Sequence, residues 1–114
     1  MIDKTEYLYR GVVQRVIDGD TVDILCDLGF HIFIKERFRL EGIDTPELRG
    51  GTTETKKLAQ DAKKWLTSVL LDKEVLVLSK KQGKFGRYLG TIYLDEVDIN
   101  QELIKLGHAK VYGS

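Results

Sequence analysis

The chain has 114 residues, a usual size for one domain, and its 18 basic and 18 acidic residues give a formal net charge of zero. Hydrophobic residues make up 42% and charged residues 32%, a balance that excludes a disordered chain. No apolar run approaches the roughly 20 residues of a membrane-spanning helix. Zero net charge counts mildly against a dedicated nucleic-acid binder, but less against an enzyme that must release its product. We therefore expect one domain over residues 1–114, a monomer with no membrane contact and no obligate protein partner.

The sequence offers little evidence for a targeting signal, a disulfide or a zinc site. Residues 1–4 carry charges where a signal peptide would have its apolar stretch. We expect a cytoplasmic protein, or a secreted one if an export signal has been removed. Cys26 is the only cysteine, so no intrachain disulfide can form, and with His31 and His108 it gives too few ligands for a Cys/His zinc cluster.

The first part of the chain predicts two strand pairs. From Tyr7 to Ile24 the residues are rich in Val, Ile, Tyr and Thr, with a hairpin-turn signal at Asp18-Gly19. A second pair is predicted across Asp27-Leu28-Gly29, with residues 30–34 and 38–40 extended.

A helix is predicted next, from about Thr55 to Leu71, because apolar residues recur at spacings of three and four. Its apolar stripe would comprise Leu58, Ala62, Trp65, Leu66, Val69 and Leu70.

Two more strands and a second helix complete the prediction. Residues 74–79 and 87–94 are typical of strands joined by a polar turn. The second helix would run from the N-cap Asp98 to Leu106, and Gly107 would end it. Five strands, with helices after the third and fifth, favour a mainly β (α+β) fold: a five-stranded OB-type Greek-key barrel with two helices. A split α+β sandwich is the alternative.

Three segments could carry chemistry, and each also has a purely structural interpretation. Asp18-Gly19-Asp20-Thr21 places a carboxylate at a tight turn, but Asp and Gly also form such turns for conformational reasons. In the segment 39–47, Thr45 or Asp44 could instead cap a short helical turn beginning at Pro46. Gly86-Arg87 follows a basic patch that a polyanion could use, or that could simply be solvated; the patch comprises Lys80, Lys81 and Lys84.

In this order, the segments resemble the motifs of the staphylococcal nuclease (thermonuclease) family. The resemblance rests on residues 17–21, on 38–40 followed by 43–47, and on Lys84-Phe85-Gly86-Arg87, and it continues through residues 100–111. It extends from about Val12 to Tyr112. It implies an OB-type barrel that hydrolyses phosphodiester bonds of DNA or RNA. It further implies that the activity needs calcium, prefers flexible or single-stranded substrate and leaves 3′-phosphate ends.

The resemblance also implies a metal site. Carried over position by position, Asp20 and Asp44 would bind Ca²⁺ through their side chains and Thr45 through its carbonyl oxygen. Calcium prefers hard oxygen ligands, so this set needs neither His nor Cys. Glu47 would stay off the metal, or bind it only through water, and would orient or deprotonate the attacking water.

The remaining implied roles concern the phosphate and the bases. Arg39 and Arg87 would hold the phosphate and stabilise the negative charge that develops on it, because a guanidinium binds two oxygens at once. Lys84, Phe85 and Tyr112 would contact the substrate. A non-catalytic barrel that binds nucleic acid or peptide is the rival function, but in such modules the catalytic positions are often lost, and here they are present.

The chain also departs from the family pattern. The segment between Asp20 and Arg39 is longer than expected, which predicts a protruding hairpin around residues 26–37. Phe85 stands where tyrosine is usual, and the sequence stops at Ser114, before the third helix of many members.

Overall fold

The computed structural model describes residues 6–47, 51–80 and 87–113. Within these ranges the chain forms eight strands and two helices, several of the strands only two residues long. In chain order they are β1 (Glu6–Asp18), β2 (Thr21–Asp27), β3 (Phe33–Leu40), β4 (Ile43–Asp44), α1 (Thr53–Leu70), β5 (Glu74–Lys80), β6 (Tyr88–Leu94), β7 (Val97–Asp98), α2 (Ile99–Lys105) and β8 (Lys110–Val111).

The five long strands close into a barrel. Their order is β3-β2-β1-β5-β6, and all of these neighbours run antiparallel. A parallel pairing of β3 with β6, in which Phe38 lies opposite Tyr88, joins the two ends of this sheet. Closure removes the exposed sheet edges that an open sandwich would leave. The predicted OB-type barrel is confirmed, and the split sandwich is excluded.

The interior of the barrel is apolar and is covered by α1. Inward residues such as Ile24, Phe38 and Leu40 are at most 2% exposed. The helix begins after Thr52, whose hydroxyl accepts from the Thr55 backbone N–H in a capping box. Its buried residues follow the expected helical spacing: Ala59, Ala62, Leu66 and Leu70.

The predicted stripe of α1 was wrong at one position. Leu58 is 52% exposed, because the buried stripe passes through Ala59, one residue or about 100° further around the helix. Trp65 is partly buried against the core, as predicted. No helix in the described part of the chain combines the length and the apolar character needed to cross a membrane.

The boundaries of α2 agree with the sequence prediction. The Asp98 side chain accepts from the Gln101 backbone N–H at 3.0 Å and so caps the helix N-terminus. After the helix, Gly107 has a φ of 81°, the left-handed conformation that glycine adopts most readily at a helix C-terminus.

The β2–β3 hairpin corrects one expectation. Phe30 and His31 are not extended: their φ values are 54° and 61°, and they lie in a turn closed by a hydrogen bond from Leu28 N to Ile32 O. The turn begins because Asp27 Oδ1 accepts from the Gly29 N–H at 2.8 Å. Strand β3 therefore starts only at Phe33. All residues from 28 to 35 are exposed, whereas Cys26, at the start of the predicted protrusion, is buried, so only the tip of the hairpin is exposed.

Candidate functional site

The turn between β1 and β2 meets the end of β3 at one edge of the barrel. Asp18 pairs with Thr21, which leaves Gly19 and Asp20 as a two-residue loop. The Leu40 N–H donates to the carbonyl of Asp20 at 2.8 Å and ties this loop to β3. Two segments that are 20 residues apart in sequence thus place Asp20 beside Arg39.

Arg39 is the centre of this edge, and its guanidinium is held from two sides. Nη2 lies 3.4 Å from Oδ2 of Asp20 and 3.3 Å from Oδ1 of Asp44. Nη1 donates to the carbonyl oxygens of Leu40 at 2.9 Å and Ile43 at 3.0 Å. The side chain is only 18% exposed, so the charge is fixed in a partly desolvated position.

Asp20 is held in its ionised form. Burial by itself would raise the pKa of this carboxyl. A side-chain hydrogen bond with Asp18, the positive charge of Arg39 and hydrogen bonds from Thr21 and Thr45 outweigh burial, and the pKa is lowered. The Thr21 hydroxyl donates to Oδ1 of Asp20 at 3.1 Å.

Asp18 belongs to the same site, although the sequence analysis gave it no role there. Its Oδ1 accepts from the Asp20 backbone N–H at 3.1 Å. Burial, followed by the hydrogen bond and the negative charge of Asp20, raises the pKa of Asp18 to about 6. Of the two carboxyls, Asp18 is therefore the one that takes up a proton first as the pH falls. The signal in the sequence was the spacing of two aspartates around a single glycine in a tight turn.

Thr45 and Tyr112, two of the predicted site residues, lie next to the arginine–carboxylate group. Thr45 is buried, and a Cβ added at Gly19 would lie 3.3 Å from its side chain, so the threonine packs against the β1–β2 turn. Strand β8 pairs with β4, and the Tyr112 N–H donates to Gly42 O at 2.9 Å. The Tyr112 ring centre consequently lies 5.8 Å from Cζ of Arg39, within the range of a cation–π contact.

The other predicted residues are less closely joined to this group. Glu47 is exposed in an irregular segment, and among the described residues it has no hydrogen-bond or ion-pair partner. Arg87 is partly buried and directly precedes Tyr88, which pairs with the neighbour of Arg39 on β3. The helical-turn alternative for residues 45–47 is wrong, because they adopt no regular structure and α1 begins only at Thr53.

Several predicted residues lie outside the described part of the chain. They include two lysines of the basic patch and the two substrate contacts before Gly86, with one lysine belonging to both sets. These positions are Lys81, Lys84 and Phe85. Lys80 is described, and its Nζ donates to Oε1 of Glu41 at 2.7 Å.

The donor chemistry of the site fits a hard cation. In the described ranges, no group of three or more His, Cys, Asp or Glu side chains is arranged to hold a metal. Asp20 and Asp44 nevertheless approach the same nitrogen atom of Arg39, so both carboxylates already face one positive charge. Carboxylate oxygens of this kind are ligands that calcium uses.

The fold is an OB-type barrel. Where the β1–β2 turn meets the end of β3, an arginine is held between two aspartates. Residues 37–114 match the family model described as staphylococcal nuclease homologue. The chain belongs to this family.

Three relatives illustrate how far the similarity extends. An uncharacterized protein of Methanocaldococcus jannaschii is 33% identical over 135 aligned residues, which cover 97% of this chain and 62% of that protein. An uncharacterized endonuclease of Escherichia coli O157:H7 is 33% identical, covering 90% of this chain and 61% of the relative. The micrococcal nuclease of Shigella flexneri is 33% identical, covering 75% and 42%. The chain thus spans less than two thirds of the length of each of these relatives.

Proposed function

We propose that this chain is a calcium-dependent nuclease that hydrolyses phosphodiester bonds of DNA or RNA, prefers flexible or single-stranded substrate and leaves 3′-phosphate ends. The observation that carries the proposal is the Arg39 guanidinium, held by backbone carbonyls between Asp20 and Asp44. Family membership supports it, as do the names micrococcal nuclease and endonuclease among the relatives.

The first task of the site is to hold an anionic phosphate. Arg39 is preorganised for this task because two carbonyl oxygens fix its Nη1. Its Nη2 is occupied by Asp20 and Asp44. Calcium, when held by these carboxylates and the Thr45 carbonyl, would supply positive charge at the phosphate. Arg39, with Nη1 fixed on the two carbonyl oxygens, would direct Nη2 to a phosphate oxygen.

The second task is to activate water. Glu47 is exposed and has no partner among the described residues, so it is able to accept a proton from a water molecule. Attack of that water on phosphorus would break the bond to the 5′ oxygen, which leaves as a hydroxyl after taking up a proton from solvent, and the phosphate stays on the 3′ oxygen. Arg87, near β3 at the start of β6, would stabilise the added negative charge together with Arg39.

The test is digestion of denatured plasmid DNA by the 114-residue chain, with calcium or with EDTA, followed by analysis of the product ends. We expect calcium-dependent cleavage and 3′-phosphate ends. Glu47→Ser and Arg87→Ala should each reduce the rate by a factor of about 10² or more. Glu54→Ser and Arg10→Ala alter exposed residues away from the site and serve as matched controls.

Two outcomes would contradict the proposal. Digestion by either site variant at the parental rate would show that the assigned residues do not act in the reaction. Binding of DNA without cleavage, at the same affinity in calcium and EDTA, would instead indicate a non-catalytic binding module.

A further inference from the structure

A cavity of about 310 Å³ opens at the mouth of the barrel, and no part of the proposed hydrolytic mechanism uses it. Four aromatic residues from three strands line it: Tyr7, Tyr9, Phe38 and Tyr88. Phe38 and Arg39 are consecutive on β3, so their side chains point to opposite faces of the strand. The cavity is therefore on the inner side of the strand whose other side carries the arginine–carboxylate site.

The aromatic rings line this cavity at different depths. Tyr7 and Tyr9 are stacked, with ring centres 6.1 Å apart and planes inclined by 13°. Phe38 and Tyr88 lie 6.3 Å apart with an inclination of 47°. Phe38 is 2% exposed and forms the floor, whereas Tyr7 is 50% exposed and stands at the rim. A ligand entering from solvent would meet rings at the rim and at the floor of the cavity.

One acidic residue also lines the cavity. Glu36 lies opposite Ile24 in the β2–β3 register, and directly opposed residues share a face of the sheet. Because Ile24 is fully buried, Glu36 points to the interior side of the barrel wall. Within the described residues its carboxylate has neither a hydrogen-bond partner nor an ion-pair partner. Burial and, second, the negative charge of Glu36 raise the pKa of the Cys26 thiol to about 11.

We propose that this cavity binds an organic cation, specifically a methylated ammonium group. Aromatic ring faces carry negative electrostatic potential and attract cations, and quaternary ammonium ions are suited to them because they are weakly hydrated. The Glu36 carboxylate adds a negative charge that has no ion-pair partner within the described part of the protein. The same charge repels phosphate, which disfavours a nucleotide as the occupant. The volume lies at the lower end of small-ligand pockets, which fits a head group rather than a larger molecule.

The same ammonium chemistry occurs in free choline-like molecules and on trimethylated lysine side chains. We would titrate the isotope-labelled protein with choline, with N-acetyl-trimethyllysine and with 3,3-dimethylbutanol, the uncharged analogue of choline, and follow the aromatic side-chain and backbone amide NMR signals. We expect the signals of Tyr7, Tyr9 and Tyr88 to shift, while those of Asp20 and Arg39 stay unchanged. Choline should bind at least about fivefold more tightly than dimethylbutanol.

Variants separate charge from shape. Glu36→Gln keeps the size of the side chain and removes its charge, so it should weaken choline binding about fivefold or more and leave dimethylbutanol binding unchanged. Tyr7→Leu alters an exposed rim residue without threatening the core and should also weaken choline binding. Glu102→Gln, on α2 and outside the cavity, is the matched control and should bind as the parent does.

The outcomes are decisive for the proposal and independent of any nuclease activity. Preference for trimethyllysine over choline would identify a modified side chain as the source of the cation, and the reverse preference would identify a free small molecule. Equal affinity for choline and dimethylbutanol would overturn the proposal, because binding would then depend on the shape of the ligand and not on its positive charge. Absence of shifts with both cations, in a protein whose spectrum shows an intact fold, would overturn it as well.

Discussion

Nη2 of Arg39 lies 3.4 Å from Oδ2 of Asp20, and this ion pair joins the β1–β2 turn to the end of β3. The Leu40 N–H to Asp20 O hydrogen bond runs alongside it and fixes the same two segments through the backbone. The arginine is thus a structural partner of the aspartates, and in the proposed function it is also the group that meets the phosphate. These two roles can be separated by a substitution that keeps the charge.

We expect Arg39→Lys to reduce DNA cleavage by a factor of about 10² or more. Lysine retains the positive charge beside Asp20 but cannot donate to Leu40 O and Ile43 O while also facing both aspartates. The free energy of unfolding should fall by only about 1–2 kcal/mol, because the backbone link between the turn and β3 remains. Digestion rates and urea denaturation measure the two effects, with Arg10→Lys, at a 68% exposed side chain, as the control. Cleavage by Arg39→Lys at the parental rate would contradict the role assigned to the guanidinium.

A second ion pair gives a prediction about pH. Nε and Nη2 of Arg37 donate to the two carboxylate oxygens of Asp23 at 2.8 and 3.2 Å, across β2 and β3. The hydrogen bond from Arg37 is the largest cause that lowers the pKa of Asp23. An acid whose pKa is lower in the folded state stabilises the fold above its unfolded pKa of about 3.9. That contribution is lost as the pH falls through the lower, folded value.

We therefore expect Asp23→Asn to lower the free energy of unfolding by about 1 kcal/mol near pH 7, since the arginine is partly exposed and the pair is screened. The difference between variant and parent should shrink as the pH falls below about 4 and should vanish once Asp23 is protonated in the folded protein. Urea denaturation at a series of pH values measures this. Arg37→Gln and the double variant complete a thermodynamic cycle. A difference that stays constant down to about pH 2 would show that charge is not the cause.

The sequence predicted best what depends on local chemistry. Asp98 caps α2 and Gly107 ends it because each needs only its immediate neighbours to do so. Phe30 was placed in a strand on its intrinsic preference, but the hydrogen bond of Asp27 to Gly29 starts a turn there instead. Short-range preference alone could not decide between these two outcomes.

The parts of the site that escaped prediction depend on contacts distant in sequence. The raised pKa of Asp18 requires the burial of the β1–β2 turn, which no local pattern reports. The inward direction of Glu36 follows from the β2–β3 register, and a shift of one residue would turn it to solvent. Pairing of β4 with β8, which brings Tyr112 to Arg39, involves only two residues on each side. So short a pairing leaves no periodic signal in the sequence.

Asn100, on α2, also connects segments that are distant in sequence. It is almost entirely buried, with 2% of its surface exposed. Its Nδ2 donates to the carbonyl oxygens of Glu41 at 2.9 Å and Gly90 at 3.0 Å. Its Oδ1 accepts from the Ile92 N–H at 3.2 Å. One side chain on α2 therefore satisfies backbone groups of β6 and of the turn that follows Arg39 and Leu40 on β3.

We expect Asn100→Ala to lower the free energy of unfolding by about 2–4 kcal/mol, because removal of the amide takes a partner from the Ile92 N–H and from the Glu41 carbonyl, while Gly90 O keeps the Glu41 N–H. Asn100→Asp should also destabilise near pH 7, since it keeps the acceptor for Ile92 but sets a negative charge against two carbonyl oxygens. That second loss should become smaller in acid, where the protonated carboxyl can donate one hydrogen bond. Urea denaturation gives both values, with the adjacent exposed Gln101→Ala as a control that should change stability by less than about 0.5 kcal/mol. If Asn100→Ala were as stable as the control, water would have to replace the amide at those backbone groups, and the connection would not be needed to hold the β3–β4 turn.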